Sequence, residues 1–375
     1  METATATKTV SGAKLAAAAL FLISALGANF IFFPLVKLKI ADIAAADIIG
    51  CRLQLMQGKN IDKTIILTQN LTDCEDIFIA SLFDGRKDFY RLIYSLGYGG
   101  FTQEEILDTN FKLAVFYVDS KGNQNSFGDL QNKLFNQYEC GNINFFGIPL
   151  YCFNAVGSKP DHLKQIIPLA TILKYTSQIK HENKLAGVNT SAHNFIAQSG
   201  VQYYDASQPE VYDETLETAK CTGDQGSANY QNVNGKKIVY ICDKMLKDTD
   251  PFGRIRYAAI LYHEANHISQ AGHKYSHAED SNPQYEDLND VELAQITIKS
   301  ECKVVEGYQP RRRDWDFKTT YGAHINYLFS LSKNNILPCD EQLYAFTEAE
   351  TLMKTKLCQY PNKPKHGFTK PACNK

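Results

Sequence analysis

The sequence has little net charge, no closely spaced cysteine pair and no internal repeat. Lys and Arg number 39 and Asp and Glu number 41, so the formal net charge is −2. This balance gives no electrostatic reason to expect a nucleic-acid partner, which usually meets a basic face. No two cysteines stand in a CxxC pair, which argues against a zinc site built from cysteines. With 44% hydrophobic and 21% charged residues, the composition is that of a folded globular protein.

The N-terminus is typical of a targeting segment. Lys8 and Lys14 precede an apolar run over residues 15–36. A basic flank before an apolar stretch is the pattern of a secretory signal peptide, and about 20 apolar residues can also span a bilayer. The sequence therefore predicts a signal peptide or a membrane anchor in residues 1–39, with the remainder secreted, periplasmic or at the cell surface. A buried core helix of a cytosolic protein is the remaining interpretation.

The cysteines also favour export. All ten of them, from Cys51 to Cys373, lie beyond the apolar run. An even number of cysteines outside a leader is typical of disulfide bonds in an oxidising compartment. Their pairing cannot be read from the sequence, although the ranges 140–152 and 358–373 are each bounded by cysteines that could close a short loop.

Two domains are expected after the leader. Residues 40–205 form a predicted N-terminal domain of unknown role, with strands at 61–67 and 111–118 and a helix at 166–179, because branched, aromatic and apolar residues recur there at strand or helix spacing. Residues 206–375 form the second predicted domain.

A strand followed by a long helix marks the second predicted domain. The strand is expected at 237–242. Asp250 and Pro251 then form a helix start, because Asp suits the capping position and Pro the first helical position. The helix is predicted to run from Phe252 to about Gln270.

His263 and His267 are four residues apart on this predicted helix. That spacing places both imidazoles on one face, one turn apart, where both can bind one Zn²⁺ ion. Glu264 leans to the side of that face and can act as general base toward a water that zinc activates. The residues form an HExxH motif, His263-Glu-Ala-Asn-His267, which is typical of metallopeptidases. A helix that carries two unrelated histidines is the alternative.

Residues downstream of the motif resemble those of the aspzincins, the deuterolysin-like peptidases. In that family an Asp ligand and then a Tyr-Gly pair that opens a helix follow HExxH, and here the pair is Tyr321-Gly322. The resemblance covers roughly residues 238–348. It implies a zinc-dependent peptidase in which Tyr321 stabilises the oxyanion by hydrogen bonding, while a core tyrosine at a helix start is the alternative for this residue.

The resemblance implies that the third zinc ligand is an Asp that precedes Tyr321. Asp316 is the first choice and Asp314 the second. The sequence departs from the family here, because Lys318 stands where the family has its Asp.

A histidine after the helix is the rival third ligand. His273 lies ten residues after His263, which is the outer spacing of the metzincin signature. Gln270 stands where metzincins have the glycine that turns the chain back, and Gly272 comes two residues later. His277 could also approach the site, and exposed loop histidines are the alternative for both.

The sequence as a whole predicts an α+β fold with a zincin-like catalytic domain, an active-site helix and stabilising disulfides. The predicted function is that of an exported zinc metalloendopeptidase, with Zn²⁺ as cofactor and a peptide or protein as substrate. The strand at 237–242 is expected to be the sheet edge that aligns an extended substrate. Two alternatives stay open: a disulfide-rich surface or secreted binding protein that retains a zinc site, and an amidase that acts on cell-wall peptide. The presence of Glu264 favours catalysis, because a purely structural site needs no base.

Overall fold

Two β-sheets and a set of helices make up the computed structural model. The structure describes residues 48–67, 71–128, 131, 142–151, 153, 161–179, 190–206, 228–248, 250–270, 320–356 and 369–372. The predicted leader over residues 1–39 lies outside these ranges. Within them, no helix has both the length and the apolar character needed to cross a membrane.

The first sheet is antiparallel and has four strands. In chain order they are β1 (Ile48–Gln57), β2 (Asn60–Ile66), β3 (Lys112–Asp119) and β4 (Gln124–Ser126), and across the sheet the order is β2-β1-β3-β4. Alternate residues Cys51, Leu53 and Leu55 of β1 are buried, because side chains of a strand alternate between its two faces. The strands predicted at 61–67 and 111–118 are confirmed as β2 and β3.

A disulfide joins this sheet to the helix that packs on it. Cys51 of β1 is bonded to Cys74 of α1 (Leu71–Phe83), across 23 residues of chain. Both cysteines are buried. The predicted disulfide stabilisation is thereby confirmed for this pair, while the short loops expected at 140–152 and 358–373 involve cysteines outside the described residues.

Loss of this crosslink should lower the free energy of unfolding. For a closed loop of this length the chain-entropy model gives about 3 kcal/mol. Cys51→Ala, Cys74→Ala and the double variant should therefore lose similar amounts in urea denaturation, because each abolishes the same bond. Losses that add up in the double variant would show that side-chain packing, and not the crosslink, provides the stability.

The second sheet is mixed and has five strands. They are β5 (Asn142–Phe145), β6 (Ile148–Tyr151), β7 (Gln202–Asp205), β8 (Ala228–Val233) and β9 (Lys236–Ile241), and across the sheet the order is β5-β6-β7-β9-β8. The pairs β6–β7 and β7–β9 are parallel, whereas β5 and β8 pair antiparallel with their neighbours. Strands β5, β6 and β7 precede position 206 and strands β8 and β9 follow it, so this sheet combines residues of both predicted domains.

The strand predicted at 237–242 is confirmed as β9, but its predicted place at the sheet edge is wrong. Among the described strands β9 lies between β7 and β8, and β8 is at the edge. Asn234 and Gly235 have φ of 51° and 80°, the left-handed pair of a two-residue hairpin turn. This turn brings β8 alongside β9, and because the other side of β9 pairs with β7, β8 is on the outside of the described strands.

The other helices pack against the sheets or against one another. They are α2 (Arg86–Ser95), α3 (Gln103–Leu107), α4 (Asp161–Tyr175), α5 (Ala192–Gln198), α6 (Asp243–Leu246), α7 (Gly253–Asn266), α8 (Thr320–Leu331) and α9 (Cys339–Lys356). The helix expected at 166–179 corresponds to α4, which begins and ends earlier. Helix α7 contacts α4, α5, α8, α9 and strand β8, so it is the central helix of this part of the chain.

Helix α7 begins at Gly253, one residue after the predicted start, and its N-cap is Phe252 and not Asp250, so the predicted capping role of Asp250 and the predicted helical position of Pro251 are wrong. The side chain of Asp250 accepts a hydrogen bond from the Phe252 N–H at 3.0 Å, which satisfies a donor at the helix start. The α-helix ends at Asn266, and a 3₁₀ turn continues over His267–Gln270. The buried Tyr203 hydroxyl of β7 donates to the Leu261 carbonyl at 3.0 Å, so the helix is fixed against the sheet.

Candidate metal centre

Three side chains at the end of α7 converge. His263, Glu264 and His267 each offer a ligand atom, and these atoms all lie within 4.8 Å of one another. His263 and Glu264 are buried and His267 is partly buried. Because His267 begins the 3₁₀ turn, the two histidines lie on either side of the helix end. These residues can hold a metal ion, as the HExxH spacing predicts.

Glu264 lies between the helix and the edge strand β8. Its Oε2 accepts a hydrogen bond from the Tyr230 N–H at 2.9 Å and lies 3.8 Å from His267 Nε2. Burial raises the pKa of Glu264 to about 8, and the hydrogen bond from Tyr230 acts in the opposite direction. One backbone donor therefore holds this buried carboxyl group beside His267.

The Tyr230 side chain also contacts the cluster. Its ring stacks on the His267 ring with centroids 5.9 Å apart and an interplanar angle of 17°. Its hydroxyl oxygen is buried, with no hydrogen-bond partner in the described part of the chain. Backbone and side chain of one β8 residue therefore restrain both Glu264 and His267.

Helix α8 places two aromatic side chains against His263. Tyr321 lies with its ring centroid 4.7 Å from that of His263, and His324 with its centroid at 5.2 Å. Both contacts are edge-on. The structure thus brings Tyr321 to the cluster, and its predicted catalytic role stays a prediction.

Sequence reasoning missed His324. It is buried, and its Nδ1 lies 3.3 Å from Nδ1 of His263. Burial lowers its pKa to about 3. One signal could have identified it: His324 follows Tyr321 by three residues on a predicted helix, and side chains at that spacing share a face.

Four downstream residues are the predicted candidates for a third ligand. Asp316, Asp314, His273 and His277 all lie outside the described residues, and their assignments stay predictions. Of the groups that the structure describes, the His263–Glu264–His267 cluster is the one that brings at least three potential ligands together.

Comparison with models of protein families, with curated proteins and with solved structures gives no match. The resemblance to aspzincins accordingly stays an expectation from the motif residues.

Proposed function

We propose that this chain is an exported zinc-dependent metallopeptidase that hydrolyses peptide bonds with Glu264 as general base. The observation that carries the proposal is the convergence of His263, Glu264 and His267 at the end of a buried helix. A carboxylate beside two histidines is the arrangement that metal-assisted hydrolysis needs, since the histidines can bind the ion and the carboxylate can move a proton.

The donor set fits zinc better than a hard cation. Imidazole nitrogens suit Zn²⁺, whereas Ca²⁺ and Mg²⁺ prefer oxygen ligands. His263 and His267 would hold the ion, and a third ligand would come from Asp316 or Asp314 or, alternatively, from His273. When bound, zinc lowers the pKa of a coordinated water to about 7.

Glu264 would take a proton from the attacking water and pass it to the leaving amine. Its carboxylate is positioned for this by the Tyr230 N–H, 2.9 Å from Oε2. With Oε2 held by this hydrogen bond, Oε1 would accept the proton. This division of roles between the two oxygens supports a general base better than a structural carboxylate.

Strand β8 supports a peptide as the substrate. Among the described strands it is the edge of its sheet, and it lies next to the cluster. An edge strand presents backbone donors and acceptors that can pair with an extended peptide. A peptide laid along β8 would pass beside Glu264, which Tyr230 contacts directly.

Export is the second part of the proposal. The Cys51–Cys74 disulfide supports it, because such bonds persist mainly in oxidising compartments. Fractionation of the native host should find the protein outside the cytosol, and recovery from the cytosol with both thiols reduced would contradict this part.

The test of the function is hydrolysis of a broad peptide library by residues 40–375. Cleavage should stop when a chelator removes the metal and should return when Zn²⁺ is added back. Absence of cleavage by the zinc-loaded protein, including any proteolytically matured form, would favour the binding-protein alternative. Cleavage confined to cell-wall peptides would favour the amidase alternative.

Tyr321→Phe should lower kcat and leave zinc content unchanged. If the hydroxyl donates to the oxyanion in the transition state, its removal should cost a factor of about 100 to 1000, with KM nearly constant. Tyr94→Phe is the matched control, because Tyr94 is an exposed tyrosine on α2. A Tyr321→Phe variant with wild-type kcat would leave Tyr321 with a packing role only.

A further inference from the structure

A second buried histidine contacts His263, one of the two proposed zinc ligands. His324 of α8 is buried, and it approaches His263 from the side of α8. Its Nδ1 atom lies 3.3 Å from His263 Nδ1. His324 does not belong to the group formed by His263, Glu264 and His267, so it contacts one ligand and not the whole cluster.

The contact constrains the protons of both rings. Two imidazole nitrogens can form a hydrogen bond only if one carries the proton and the other offers a lone pair. A histidine that binds a metal gives its lone pair to the ion at one ring nitrogen and donates the proton on the other nitrogen to a neighbouring acceptor. Because Nδ1 of His263 faces His324, Nε2 remains for the metal.

We propose that His324 is a positioning residue for the metal centre, which accepts the Nδ1–H of His263 and thereby holds the His263 ring with its Nε2 lone pair toward the ion. The inference depends on the metal site of the proposed function. His324 would thus be a further functional residue of that site, on a different helix and 61 positions further along the chain than His263.

The orphaned nitrogen of His324 supports this assignment. If its Nδ1 accepts, its proton is on Nε2, and this atom is buried with no hydrogen-bond partner in the described ranges. A buried polar group without a partner destabilises a fold. An apolar side chain of similar size would avoid that cost. The presence of a histidine is therefore explained by the hydrogen bond that its Nδ1 atom accepts from His263.

Two variants of His324 separate positioning from packing. His324→Leu removes the acceptor and also removes the orphaned nitrogen. His324→Asn keeps an acceptor, because its side-chain oxygen can take the place of Nδ1. His324→Phe, which keeps a ring but no acceptor, serves as a second loss variant if the Leu protein does not fold.

The measurement is Zn²⁺ affinity in competition with a chromophoric chelator, together with thermal unfolding of the metal-free proteins. We expect His324→Leu to bind Zn²⁺ about 10–100 times more weakly than wild type. Without metal, this variant should be at least as stable as wild type. His324→Asn should recover most of the Zn²⁺ affinity. The absorption spectrum of bound Co²⁺ should change in the Leu variant and stay close to wild type in the Asn variant.

Three results would overturn the inference. If His324→Leu bound Zn²⁺ with wild-type affinity, His324 would have a packing role only. Equal losses in the Leu and Asn variants, as large as that of His263→Ala, would make His324 a ligand. If the wild-type protein bound no Zn²⁺, this inference and the proposed function would both be wrong. If it bound Zn²⁺ but cleaved no peptide, only the proposed function would be wrong, because the affinity measurement does not involve hydrolysis.

Discussion

Glu264→Gln is expected to reduce peptide hydrolysis by a factor of ~100 or more, while zinc content stays at the wild-type level. Gln has nearly the size of Glu, and its carbonyl oxygen can still accept the Tyr230 N–H that now binds Oε2. The substitution therefore removes the proton acceptor and little else. The measurement is kcat/KM on a peptide identified from the library, with zinc determined in the same preparation.

Glu105→Gln is the matched control for this variant. Glu105 has the same side chain but lies in the capping box of α3, where its carboxylate accepts from the Thr102 N–H and Lys63. It should keep both activity and zinc. If wild type and Glu264→Gln cleaved the same peptide at equal rates, Glu264 would not be the base, and the central claim about the mechanism would be lost.

His263→Ala combined with His267→Ala should abolish zinc binding. The protein lacking residues 1–39 should otherwise hold about one Zn²⁺ per chain. Each single variant should weaken binding by more than the roughly 10–100-fold that the loss of an outer hydrogen-bond partner costs, because a removed ligand takes away a bond to the metal itself. Elemental analysis after dialysis measures the content, and competition with a chelator measures the affinity.

His193→Gln provides the comparison for a lost histidine. His193 is also buried, on α5, where its Nε2 contacts the Phe146 carbonyl at 3.0 Å, outside the cluster. It should bind zinc as wild type does. Equal zinc content in wild type and the double variant would mean that the metal, if present, is bound elsewhere, and the peptidase proposal would have no site.

The sequence predicts the local part of the site well. The four-residue spacing of His263 and His267 and the turn at Asp250-Pro251 depend on neighbours along the chain. The structure begins the helix within one residue of the predicted start at Phe252 and brings the two histidines together with Glu264. The Asn234-Gly235 hairpin was equally readable as a local signal. This signal predicts that β8 pairs with β9, but it does not determine which of the two strands lies at the edge of the sheet.

The non-local part could not be predicted. The approach of His324 to His263 depends on how α8 packs against α7, and a single sequence does not specify that packing. The Cys51–Cys74 pairing depends in the same way on α1 lying over β1. Parallel pairing of β6, β7 and β9 also joins segments far apart in the chain, with no turn signal to indicate their order.

The hydrogen bond between β8 and Glu264 has a consequence for any mutational survey of the site. Its donor is the main-chain N–H of Tyr230, which every residue except proline carries. Alanine scanning along β8 would remove the Tyr230 ring that stacks on His267, but it would leave the hydrogen bond to the Glu264 carboxylate in place. Only a change to the main chain itself, such as replacement of the Tyr230 amide by an ester, would measure how much the activity of Glu264 depends on this hydrogen bond.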